Sequence, residues 1–242
     1  MRKLVAAAVI AATAATSACS RSRAEDGGPT VARNYQVGNF EQIEVAGPYN
    51  VTVRTGAGPT VSARGAEKLI EHLVVEVRDG KLLIHPERQK GWFHTGWSFR
   101  GKVDLAVTVP QLRGADIAGS GDITIDQVKG DRFDGSVAGS GGLQVGTLEV
   151  QTLKLVIAGS GDVKATAGKA QTVKYDIAGS GGIDAKGIQA QTADVSIAGS
   201  GSVSAQATGT ADVSIMGSGD VELTGGAKCT VSKAGSGDVR CS

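Results

Sequence analysis

From residue 116 onward, apolar and polar residues alternate in a pattern that returns every 18–20 positions. The fixed point of each return is a glycine followed by Ser-Gly: Gly119, Gly139, Gly159, Gly179, Gly199, Gly217 and Gly235. Four positions later stand Ile123, Leu143, Val163, Ile183, Val203, Val221 and Val239, all aliphatic. Six positions later stand Ile125, Val145, Ala165, Ala185, Ala205, Leu223 and Cys241, all apolar. The position between holds Thr124, Gln144, Lys164, Asp184, Ser204, Glu222 and Arg240, all polar. Two positions before the glycine come Ile117, Val137, Ile157, Ile177, Ile197 and Ile215, and then Lys233. Alternation by two within a segment and recurrence near twenty between segments predict parallel strands stacked coil upon coil. Nothing here recurs at 3.6, and Gly and Val are poor helix formers.

The expected fold is therefore all-β: a parallel β-helix, a single-stranded solenoid of about 20 residues per coil. About seven regular coils are expected over 116–242, roughly 4.8 Å apart, each burying its apolar face on the next. Right-handed winding is the default. The Gly-Ser-Gly phrase falls at a corner, where positive φ or a close backbone approach favours glycine.

Residues 37–115 form an irregular N-terminal part of the same unit, 37–242. Ile43, Val45, Gly47, Val51 and Val53 repeat the spacing of Ile117, Gly119, Ile123 and Ile125, so 43–53 reads as a divergent first copy. Thr60 to Ala63 predicts a short strand, and Ala66 to His72 one or two helical turns. Asp79-Gly80 between two apolar runs predicts a hairpin over 75–84. Residues 87–102 break the pattern, and alternation resumes over Val103–Val109 until Pro110.

The N-terminus reads as an export signal. Arg2 and Lys3 precede an apolar run, Leu4 to Ala15, too short to span a membrane. Thr16-Ser17-Ala18-Cys19 resembles a lipoprotein cleavage box, so 1–19 is the leader and Cys19 the expected lipidation site. Thr16 departs from the usual aliphatic residue, and ordinary cleavage near Ala18 or Ala24 is the alternative. Residues 20–36 are polar and carry Gly-Gly-Pro, which predicts a flexible tether. Contact with the membrane is then expected through the lipid alone. The expected location is the bacterial envelope, as an outer-membrane lipoprotein facing the periplasm or the surface.

Composition narrows this further. The 36 glycines come with only five prolines and many β-branched residues, which argues against a disordered linker. A net charge of +1 gives no electrostatic case for nucleic acid. Export leaves Cys229 and Cys241 where a disulfide can persist. Both fall in inward columns on the last coils. A staple of the end coil and two buried thiols are the alternatives.

The residues Phe40-x-x-Ile43-x-Val45-x-Gly47 leading to Val51-Thr52-Val53, the Asp79-Gly80-Lys81-Leu82 hairpin, Val107-Thr108-Val109-Pro110-Gln111-Leu112 and the Gly-Ser-Gly-Asp coils together resemble a bacterial family. It is the auto-transporter adhesin head domain, also called the GIN domain, and the resemblance covers about residues 40 to 223. It implies a β-helical solenoid in the bacterial envelope, often behind a lipoprotein signal, and it brings no catalytic residues to carry over.

Two candidate sites remain. The residue after each Gly-Ser-Gly reads Asp122, Gly142, Asp162, Gly182, Ser202, Asp220, Asp238. Turn chemistry is its expected role, with alternation relieving like-charge repulsion. A cation between Asp220 and Asp238 is the weaker reading, and no metal or cofactor is expected. Trp92, Phe93, Trp97 and Phe99 sit together with Arg88, Lys90, His94 and Arg100. They cover the open N-terminal end of the stack, contact a surface protein or glycan, or form a disordered loop. Catalysis has little support: the three histidines precede the repeats, and the Gly-Ser-Gly serines sit in β corners, not on a strand-to-helix elbow. The expected function is a non-catalytic structural or adhesion-like binding module. The alternatives are a periplasmic envelope-stress or regulatory sensing domain and, last, a carbohydrate-active β-helix enzyme.

Overall fold

The alternating residues do form strands, and the strands stack. The structure is a computed structural model; it describes residues 25–87, 99–100 and 102–242. In chain order the first elements are β1 (Glu25–Asp26), β2 (Thr30–Tyr35), β3 (Gln42–Ala46), β4 (Tyr49–Thr55), β5 (Thr60–Ala66) and α1 (Glu67–Glu71). Then come β6 (Leu73–Arg78), β7 (Lys81–Pro86), β8 (Phe99–Arg100), β9 (Val103–Val109) and β10 (Gly114–Gly119). The long coils are β11 (Asp122–Gly139), β12 (Gly142–Gly159), β13 (Asp162–Gly179), β14 (Gly182–Gly199) and β15 (Ser202–Gly217). The chain closes with β16 (Asp220–Thr224), β17 (Lys228–Ala234) and β18 (Val239–Cys241).

Coil pairs with coil in parallel and in the register that the glycine columns imply. Ile123 lies beside Leu143, Leu143 beside Val163, Val163 beside Ile183, and Gly119 beside Gly139. Pairing lapses at Asp126/Gly146 and Asp131/Gln151, so with the glycine corner each coil divides into three straight runs. The solenoid makes about six turns rather than seven. The difference lies at the end: the corner at Gly235 is followed only by β18. The first 18-residue spacing shows as register shifts between β14 and β15, near Ala185/Gln189 and Ala190/Thr192, and the second stacks at a constant offset of 18.

The divergent copy joins the stack directly. β3 pairs with β10, setting Val45 against Ile117, and β4 pairs with β11, setting Val51 against Ile123. Gly47 takes φ 126, within a degree of Gly119 at φ 127, so the same corner is built twice. The intervening chain lies on this first coil: β7 pairs with β3, β9 with β4, and β5 antiparallel with β9. β6 and β7 form the expected hairpin, with Asp79 at φ 50 and Gly80 at φ 74 as its tight turn. Residues 30–35, expected as part of the tether, form β2 instead, antiparallel to β5. Its burial is slight, with only Val31 and Tyr35 packed against the core, so no apolar period marked it as a strand.

One continuous core runs through the stack, and among the described residues no charged side chain is buried in it. Neighbouring inward columns trade volume. Phe133 sits beside Gly135 in one coil, Leu153 beside Leu155 in the next, and Val173 beside Tyr175 in the third. A Cβ on Gly135 would meet Leu143 Cδ2 at 2.7 Å and Leu155 Cδ2 at 2.9 Å, so the glycine makes room for the leucines. Tyr175 in turn fills space in coils lined by Ala165, Ala185 and Ala193. Its phenol is fully buried with no hydrogen-bond partner, and burial pushes its pKa well above the usual tyrosine value.

A buried hydroxyl without a partner destabilises the fold by roughly 1–3 kcal/mol. Tyr175→Phe keeps the ring and removes that cost. The variant is expected to melt roughly 2–4 °C higher for about 1 kcal/mol recovered. A lower midpoint in thermal unfolding would show that the hydroxyl is satisfied in the folded protein.

Candidate functional site

The glycine corner presents its residues to solvent in ladders. All seven leading glycines take φ between 127 and 136, a region closed to most side chains. Ser140, Ser160, Ser180, Ser200, Ser218 and Ser236 each donate their backbone N–H to the leading glycine's carbonyl one coil back, at 2.9–3.0 Å. Their side chains, with that of Ser120, are exposed. The serine ladder is thus held by its backbone.

The aspartate column works as part of the same scaffold. Asp122 Oδ1 accepts from the Gly142 N–H at 2.8 Å, Asp162 Oδ1 from Gly182 at 3.0 Å, and Asp220 Oδ1 from Asp238 at 2.9 Å. Where the preceding coil offers no aspartate, the N–H turns to backbone: Asp162 bonds Gly141 O, Ser202 bonds Gly181 O and Asp220 bonds Gly201 O. Each carboxylate therefore caps the next coil. A Cβ at Gly142 would lie 2.9 Å from Asp122 Oδ1, yet Asp238 carries one beside Asp220 in the same arrangement, so the alternation is not a steric requirement. Asp220 and Asp238 do lie on adjacent coils and line an open concavity of about 250 Å3 with Ser204, Glu222 and Arg240. Within it Asp220 is already engaged by the Asp238 N–H. Among the described residues no three His, Cys, Asp or Glu side chains come together as a metal site.

Beside this column the outer charges pair across coils. Lys186 Nζ meets Glu222 Oε2 at 2.7 Å, which holds the Glu222 carboxyl below its usual range and raises the lysine. Lys174 bonds Asp194 at 2.9 Å and is raised chiefly by that bond.

Cys229 and Cys241 are joined by a disulfide, with Cα atoms 6.6 Å apart. Cys229 continues the column of Ala211, and Cys241 that of Leu223. Both columns point inward, yet Cys229 is half-buried and Cys241 exposed, because no further coil covers them. The bond ties β17 to β18 across the open end.

Two structural side chains, Lys81 and Asp126, carry no signal in the repeat columns. Lys81 reaches both Glu44 at 3.3 Å and Asp116 at 3.0 Å, linking the hairpin, the divergent copy and the first regular coil. The Asp116 hydrogen bond is the main cause that raises its pKa. For Lys81 an indirect signal was available: aligning 43–53 with the repeats puts Glu44 beside Asp116, and two stacked carboxylates call for a cation. Asp126 accepts from the Thr55 N–H at 3.0 Å and the Thr55 hydroxyl at 3.2 Å, anchoring the end of β4.

Cys19 and Trp92, Phe93 and Trp97 lie outside the described residues. Phe99 begins β8, whose backbone pairs in parallel with β1, Phe99 opposite Glu25. Among the described residues no helix is long and apolar enough to cross a membrane.

Uniform corners, an apolar core and outer columns of changing chemistry define a β-solenoid. The chain belongs to the family described as "Putative auto-transporter adhesin, head GIN domain", whose model matches residues 39–227. Solved structures agree. A "putative adhesin" from Bacteroides fragilis is 25% identical, with a TM-score of 0.79 over 88% of this chain and 97% of its own. A "putative lipid binding protein" from Parabacteroides distasonis is 26% identical, with a TM-score of 0.73 over 90% and 98%. A "putative adhesin" from Parabacteroides merdae, 20% identical with a TM-score of 0.71 over 90% and 98%, shares the fold. No curated protein matches the chain.

If the corner is scaffold, neither calcium nor EDTA will shift the melting midpoint. Removing the disulfide with Cys229→Ala and Cys241→Ala is expected to destabilise the fold by about 2–4 kcal/mol. The check is thermal unfolding of both forms. A calcium-dependent midpoint would restore the cation reading, and an unchanged midpoint in the double variant would remove the staple's role.

Proposed function

We propose that the chain is an exported, non-catalytic binding module, held to the bacterial envelope by a lipid on Cys19 and engaging a surface protein or glycan. The observation that supports this most is the division of labour among the columns. Every position that repeats is used internally: glycines for close approach, serine N–H groups for the inter-coil ladder, aspartates as caps. What varies from coil to coil is the outward set, such as Gln144, Lys164, Asp184, Ser204 and Glu222. Rigid faces with position-specific side chains suit recognition of an extended partner, where affinity comes from area and a few anchors. Membership in an adhesin head family and likeness to proteins described as adhesins support the same reading. Trp92, Phe93, Trp97 and Phe99 remain the aromatic anchors we assign to the partner, since aromatics give large contact area at low entropic cost.

The test uses the intact chain in its cell. Cys19→Ala is expected to move the protein from the membrane fraction to the soluble exported fraction. Beads coated with purified chain are expected to retain cells or glycans, and the Trp92→Ala/Trp97→Ala variant to retain markedly fewer at unchanged melting temperature. Membrane retention of the Cys19 variant would overturn the anchor. Beads that retain nothing would overturn the binding module.

A further inference from the structure

On the outer face of the sheet, where β3, β7 and β6 meet, lies a concavity of about 600 Å3, open on one side. That volume is typical of small-molecule sites. Strand alternation places its lining on one face. Val75 and Val77 pair with Ile84 and Leu82 toward the core, so Val74, Glu76, Leu83 and His85 turn outward. β3 adds Glu44 beside Leu83, and Ala46 follows on the same face. β6 is the last strand of the sheet on this path, so the concavity sits at the N-terminal end of the stack.

The lining is of two kinds. Ala46, Val74 and Leu83, with the ring of Pro86, offer an apolar surface. Glu44, Glu76, Arg78 and His85 add planar polar groups. The cations here are already engaged: Arg78 meets Glu76 at 2.8 Å, and Lys81 is shared between Glu44 at 3.3 Å and Asp116 at 3.0 Å. An anionic ligand would find no uncompensated partner among them. Capacity for further hydrogen bonds remains, because each carboxylate carries about four lone-pair sites.

The geometry at His85 is more specific. Its Nδ1 donates to the Pro86 carbonyl at 2.9 Å, which leaves Nε2 facing Glu76 Oε1. Those two atoms stand 3.6 Å apart, beyond hydrogen-bond length. With the ring proton on Nδ1, Nε2 and the carboxylate both accept, so a ligand that engages the two must bring two donors. Two adjacent hydroxyls supply them, and a ligand with several hydroxyls on one edge and an apolar C–H face on the other matches the rim and the surface together.

We propose that this concavity binds a neutral saccharide, with its C–H face on Leu83 and Ala46 and its hydroxyls on Glu76, His85, Glu44 and Arg78. The open side lets the glycan continue beyond the bound ring. This deepens the binding-module reading and rests on it.

The test is a glycan array probed with the full chain and two variants, each checked by circular dichroism and melting temperature. Leu83→Arg fills the apolar surface. Glu76→Ala removes the hydroxyl acceptor. Gln171→Ala, exposed on a distant coil, is the control. Wild type and Gln171→Ala are expected to bind the same neutral glycans, with each pocket variant weaker by tenfold or more. Should Leu83→Arg fail to fold, Glu76→Ala carries the result. The signal is expected to persist at high salt, as screening does not touch a neutral ligand. Binding by both variants equal to wild type overturns the pocket and leaves the module reading intact. A signal that collapses with salt overturns the neutral ligand. A chain silent on the array overturns the saccharide assignment, while bead retention of cells still decides the module reading separately.

Discussion

At the glycine corner the backbones of consecutive coils come together until a Cβ on Gly161 would lie 2.3 Å from the Gly141 carbonyl oxygen. Gly181 meets Gly161 at 2.1 Å and Gly141 meets Gly121 at the same distance, so the approach is a property of the stack. It lets the serine N–H reach the neighbouring carbonyl at 2.9 Å and brings the aspartate over the next coil's N–H. The inward columns then pack in register, because parallel pairing sets residue against equivalent residue. Core, ladder and caps all depend on that one contact. For this reason the most conspicuous motif in the chain is an unpromising place to look for a ligand.

A stack buries each coil on the next and so leaves a problem at its ends. An uncovered end shows unpaired strand edges and apolar columns, a template for another copy. The C-terminal end meets this with two devices. Lys233 replaces isoleucine in the column of Ile215, and its Nζ donates to the Gly237 carbonyl at 2.6 Å. A charge at an inward position of an edge strand opposes end-to-end association. The Cys229–Cys241 bond then holds the two short strands of the final coil, where Val231 is 47% exposed and packing is thin. At the other end the chain adds β2, β5, β9 and the hairpin around the divergent coil, and that irregular collar carries the mixed polar and apolar concavity.

The solenoid, its register and the divergent first copy were legible because they rest on periods: two within a strand, twenty between strands. β2 was not, since an edge strand that buries only Val31 and Tyr35 has no apolar rhythm to read. The role of the aspartates was half legible. Turn chemistry follows from residue type, but that Asp122 caps Gly142, twenty residues on, follows only from the stacking register. Glu44, Glu76 and His85 were invisible as a group. They come together through the β3–β7 and β7–β6 pairings, which no local pattern announces.

The claim that the corner is a steric scaffold can be tested by one paired measurement. Gly161→Ala places a methyl against backbone at an ordinary φ, whereas Gly58→Ala places one where nothing lies within 4 Å. Thermal unfolding of the two variants is expected to show Gly161→Ala destabilised by about 2 kcal/mol or more, roughly 4 °C or more in midpoint, with Gly58→Ala close to wild type. Equal midpoints would contradict the account, because they would mean that the coils do not meet backbone to backbone at this corner.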